Sequence, residues 1–199
     1  MDYYQIIANN FQSTIETIAM SVDDLAEPIE RGSALMASAL VGDRKIITCG
    51  NGVDAVLAHL FASYLLDRFE ADRPALPALT LGNDSASVTA IAQSSSINDI
   101  FSRQLRALGQ AGDILVCINS SEAAGNLLRA VQTAHERNMG VIVVSNTQEG
   151  ELGTLIREED VELRVNAARQ SLVVEIHAMA IHSFCELIDH SLFGNHSQE

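Results

Sequence analysis

Two short segments hold the residue types that bind anions and polyols. Gly50–Asn51–Gly52 ends the β-prone run Lys45–Ile46–Ile47–Thr48–Cys49, and Asn119–Ser120–Ser121 follows the apolar run DILVCI at 113–118. Glycines let a backbone approach an anion closely, the free N–H groups of a helix start point at it, and serine hydroxyls add donors. Gly50, Asn51, Gly52, Ser120 and Ser121 are therefore candidate ligand-binding residues. The first segment continues Val53–Asp54–Ala55, so the GxGxxG spacing of a dinucleotide loop is absent.

Such loops work only if a scaffold holds them side by side. Apolar spacing predicts helices over 4–19 and 25–40, the second with Pro28 in its first turn. From residue 45 the texture alternates. Strands are predicted at 45–49, 76–81, 113–118, 140–144 and 161–165. Helices are predicted at 53–69, 84–93, 99–108 and 123–137. A last helix, 171–193, is apolar around most of its circumference and must be buried on more than one face. The alternation implies a three-layer, doubly wound, flavodoxin-like α/β fold: a five-stranded parallel sheet with two N-terminal helices and a long C-terminal helix. The expected organisation is one domain over 1–199, with a helical hairpin at 1–42 and an α/β core with the last helix at 43–199. Ligands in such sheets sit at the carboxyl ends of the strands, where both loops fall.

Composition narrows the function. The 199 residues carry 26 acidic and 12 basic side chains, a net charge of −14. That charge repels nucleic-acid backbones, so no direct nucleic-acid binding is expected, and contact with DNA would run through a basic protein. Three scattered cysteines, Cys49, Cys117 and Cys185, form neither a disulfide framework nor a zinc knuckle. No uninterrupted apolar run has the length of a membrane span and the N-terminus has no secretory pattern, so the expected location is the cytoplasm.

The segments KIITCGNG, RFEADRPALPAL, NDIFSRQLRALGQAGDILV, the serine loop and EIHAMAIHSFCELID follow one another over nearly the whole chain. In this order and spacing they resemble the sugar isomerase (SIS) domain family. The nearest branch holds bacterial phosphoheptose isomerase and a non-catalytic relative, the DnaA initiator-associating protein. The isomerase pattern places a glycine and a phosphate-binding serine where this chain has Val53 and Asp54. A metal histidine and a catalytic glutamate fall on Leu60 and Tyr64, an asparagine–aspartate pair on Gln93 and Ser94, and a glutamine ligand on Val174. The serine loop continues as Glu122–Ala123–Ala124, and only His182 keeps the family's ligand and acid–base histidine.

These departures imply a silent site. A phenol, protonated at neutral pH, is a poor replacement for a carboxylate base, and His182 alone cannot hold zinc. Asp54 and Glu122 in a phosphate pocket imply weak or altered phosphosugar binding. No cofactor is expected, zinc being possible only at an unaligned site such as one built from His59, Glu175, His177 and His182. The resemblance also implies a homotetramer and, through Leu192 and Phe193 at the end of the last helix, a contact with DnaA. The expectation is thus a non-catalytic scaffold that binds the replication initiator. The alternatives are a phosphoheptose isomerase acting on sedoheptulose 7-phosphate, or a sensor of a sugar derivative.

Overall fold

The computed structural model describes residues 2–146 and 151–194. Five strands, β1 (Ile46–Gly50), β2 (Ala78–Thr80), β3 (Ile114–Ile118), β4 (Gly140–Asn146) and β5 (Val161–Val165), form one sheet in the order β2-β1-β3-β4-β5. Every neighbouring pair is parallel. The helices are α1 (Tyr3–Val41), α2 (Val53–Leu66), α3 (Ser85–Ser94), α4 (Ile100–Leu108), α5 (Gly125–Glu136) and α6 (Gln170–Phe193). The predicted doubly wound parallel sheet is present, with each strand within three residues of its predicted ends.

Strand residues alternate between two apolar layers, as the period of two requires. Ile46, Ile114, Val116, Ile142, Val144 and Leu163 meet α1, α2 and α6. Ile47, Cys49, Leu115, Cys117, Val141 and Val143 meet α4 and α5. With both faces covered, the central strands read as continuous apolar runs, which is why β3 and β4 stand out in the sequence.

The N-terminal hairpin is not formed. One helix of 39 residues takes its place, with Pro28 inside it. Its length is about 58 Å at 1.5 Å per residue. Asp2 caps its start by accepting hydrogen bonds from the N–H groups of Tyr4 and Gln5. Asp23, Asp24 and Pro28 imitate the start of a second helix. The proline, however, removes only the bond to the Asp24 carbonyl, and Leu25, Met36 and Leu40 bury their side chains on the near half of the same rod.

Helix α6 is long and apolar enough to cross a membrane by length and composition, but half of its most apolar stretch is packed inside the domain. Leu172, Val173, Ile176, Ala180, Ile181, Phe184 and Ile188 form its buried side, while Met179 and Leu187 stay exposed.

Candidate functional site

The first loop leaves the sheet at β1, where Gly50 cannot carry a side chain: a Cβ there would lie 2.6 Å from the backbone carbonyl of Asp54. Gly52 turns the chain into α2 with φ +56°, a conformation natural to glycine. Asp54 then falls in the first turn of α2, where a negative charge suits the helix dipole. Its side chain turns inward. Asp54 is 2% exposed, and its Oδ2 accepts the N–H of Ser120 at 2.9 Å. The carboxylate of the first loop therefore holds the backbone of the second.

Other bonds tighten the same junction. The amides of Asn51 and Asn126 pair reciprocally, both at 2.9 Å, and fasten the first loop to the start of α5. Gln170, the first residue of α6, donates to the Ser120 hydroxyl at 3.0 Å. The Asn119 side chain donates to the Ser121 carbonyl at 2.6 Å. Four of the predicted binding residues, Gly50, Asn51, Asp54 and Ser120, thus converge with Gly52 at the switch in strand order. Ser121 does not; it is exposed and lines a cavity of about 850 Å3 at the ends of β3, β4 and β5. Glu122 lines this cavity too, together with Glu151, Glu162 and Arg164. Asp54 is not on its wall, so the expected Asp54–Glu122 pair facing one ligand is not formed.

Two buried atoms near the junction have no partner. One is Oδ1 of Asp54; the other is Nδ1 of His177, a fully buried residue of α6. His177 Nε2 meets the Ser145 carbonyl at 3.1 Å, which places its hydrogen on Nε2 because a carbonyl only accepts. Burial holds its pKa below the ordinary 6.5, against the raising influence of the Ser145 bond and the Asp54 charge.

The residues at the other end of α2 and α6 also meet. His182 lies edge-on to Tyr64, ring centroids 5.7 Å apart, and stacks on Phe69 at 5.6 Å. Tyr64 meets Phe69 edge-on at 5.1 Å. Arg73 secures this end. Its guanidinium donates to the carbonyls of Tyr64, Leu65 and Pro74 at 2.8, 3.0 and 3.0 Å, and pairs with Asp189 of α6 at 2.7 Å. Between His182 and Asp189, the Cys185 thiol is pushed up to about 12 by burial and the Asp189 charge.

This end does not fit a zinc ion. Leu60 and Val174 present hydrocarbon, are half-buried and pack against the core, leaving one imidazole and one phenol. The unaligned histidines do not make up the set. His59 bonds the Ala55 carbonyl, His177 the Ser145 carbonyl, and Glu175 accepts from Thr14. Among the described residues, no three His, Cys, Asp or Glu side chains gather in a metal-binding group. Leu192 and Phe193 are half-buried and pack against the core layer under α6.

Sequence reasoning missed Arg73 and Gln170. An arginine between Asp72 and Pro74 in an otherwise apolar return to β2 was the available signal for the first. Gln170 carries no sequence signal, because its partner is 50 residues away.

A parallel sheet with glycine and serine loops meeting at its switch point defines a sugar-binding α/β domain of the SIS type. The SIS domain model matches residues 10–146, and the chain belongs to this family, in its phosphoheptose isomerase branch. A phosphoheptose isomerase of Alkalilimnicola ehrlichii is 45% identical over 194 residues, 98% of this chain and 99% of that one. That of Chromohalobacter salexigens is 40% identical over 195 residues, again 98% and 99%. The solved phosphoheptose isomerase of Francisella tularensis superimposes with a TM-score of 0.91 at 35% identity, covering 96% of this chain and all of that one. These relatives correct the expected scaffold function. They carry the name of the enzyme over the full length of the chain, and the replication-initiator reading is withdrawn.

Proposed function

We propose that this chain is a ketose–aldose isomerase of the phosphoheptose isomerase type. Its reaction would be the interconversion of a seven-carbon ketose, sedoheptulose 7-phosphate or its parent sugar, with the corresponding aldose, carried out in the cytoplasm by a homotetramer. The observation that carries this reading is the 45% identity to a phosphoheptose isomerase over 98% of the chain. The retained His182 supports it.

The reaction moves one hydrogen from C1 to C2 and one proton from O1 to O2. An imidazole can accept and return a proton near neutral pH, which suits His182 to the carbon transfer through an enediol. Tyr64 replaces the carboxylate base that the family pattern places at this position. A phenol is a donor here, supplying the proton that O2 takes as the carbonyl bond opens and recovering one from O1. Phe69, stacked on the imidazole, restricts its orientation. The loop junction lies ten residues back along α2, about 15 Å at 1.5 Å per residue. Side chains on a helix lean toward its N-terminus, which shortens that gap and suits an elongated open-chain sugar.

The test is aldose formation from sedoheptulose 7-phosphate and from sedoheptulose, followed by NMR with purified protein. His182→Ala should lower kcat by roughly 100-fold or more and Tyr64→Phe by less, the usual range for losing an acid–base group. Failure of the wild-type protein to convert either sugar would remove the isomerase reading.

A further inference from the structure

We propose that Asp54 makes the loop junction a hydroxyl-binding site that excludes phosphate, so that the preferred substrate is an uncharged ketose. The inference rests on the isomerase reading and specifies its substrate class. Two glycine- and serine-bearing loops and the starts of α2 and α5 meet here, an arrangement whose free N–H groups ordinarily draw an anion. In this chain the anion is built in. Asp54 occupies the N–H of Ser120 at 2.9 Å, and Gln170 occupies the Ser120 hydroxyl.

The two orphaned atoms give the sign of the preference. Asp54 Oδ1 is buried and accepts nothing. His177 has its hydrogen on Nε2, committed to the Ser145 carbonyl, so its buried Nδ1 is an acceptor as well. Both atoms need donors. A phosphate dianion has none, and it would meet the carboxylate charge in a poorly solvated place. A sugar hydroxyl donates, directly or through a water, and carries no charge.

Turnover of sedoheptulose and of sedoheptulose 7-phosphate by wild type, Asp54→Asn and Asp54→Ser tests this. The asparagine keeps the shape and an acceptor for Ser120 N–H while removing the charge, so it controls for the serine variant failing to fold. Wild type should have the larger kcat/KM on sedoheptulose. Each variant should shift the ratio toward the phosphate ester by roughly tenfold or more, the scale of one unit charge near contact. A wild-type preference for the phosphate ester that Asp54→Asn leaves unchanged would overturn the inference while leaving the isomerase standing. If neither sugar reacts, the isomerase reading fails and binding decides the role of Asp54. Millimolar inorganic phosphate should then raise the Tm of the variants and not of the wild type. Equal stabilisation of all three would sink the proposal.

Discussion

His177 shows how far one side chain's position can govern the response to acid. Unfolded, its imidazole takes a proton as pH falls through about 6.5; folded, burial lowers its pKa and keeps it neutral longer. Below that pH the unfolded state therefore binds more protons, and stability rises with pH across the window between the depressed folded value and 6.5. Acidification from neutrality should destabilise the protein through this residue. His177→Gln, which can still donate to the Ser145 carbonyl, should flatten the urea midpoint measured between about pH 5 and pH 7. An unchanged slope would show that His177 does not set it. At this scale the sequence was legible where chemistry depends on neighbours in the chain. Gly50, Asn51 and Gly52 announce a turn out of a strand by type and order alone. The direction of Asp54 was not legible: helical position places it in the first turn, but its partner, Ser120, is 66 residues away.

Elements were easier to read than their joints. The period of two in β1 and β3 and the apolar density of α6 gave the sheet and its last helix. The sequence could not say that α1 runs through Pro28, because the helix is held there by packing against α6 and β5 rather than by its own propensity. The joint between α2 and α6 was equally hidden. Arg73 stops α2 by taking three carbonyls beyond and within its last turn, and it holds α6 through Asp189, seven residues past His182 and on the same face. Its side chain is 1% exposed. Truncation leaves Asp189 and those carbonyls unpaired, so Arg73→Ala should cost about 3–5 kcal/mol in urea unfolding, as the breaking of a buried ion pair does. Asp189→Asn, which keeps an acceptor for the guanidinium, should cost less. Equal losses would mean that the charge, rather than the network of carbonyls, holds the two helices.

The whole molecule leaves an apolar seam uncovered. Tyr4, Phe11, Ile18 and Leu25 recur every seven residues along α1, with Ala8, Ile15, Val22 and Ile29 between them. That is a heptad pattern, whose stripe suits packing on a second helix. The domain covers only its far end. Ile18, Val22, Leu25 and Ile29 line a groove of about 600 Å3 shared with Ile176, Met179 and Leu187 of α6, whereas Tyr4, Phe11 and Ile15 are 77%, 70% and 59% exposed. Single exposed apolar residues need no partner, but a continuous stripe of this kind does. The proposed homotetramer would bury it against other copies of α1 and α6, working against the mutual repulsion of chains that each carry −14. Sedimentation should therefore give four times the 21.4 kDa of one chain. Added salt, by screening that repulsion, should tighten the assembly. Phe11→Glu with Ile15→Glu should dissociate it while the helical circular dichroism is retained. A wild-type monomer at micromolar concentration, or a double variant that sediments as wild type does, would show that the seam is not the contact.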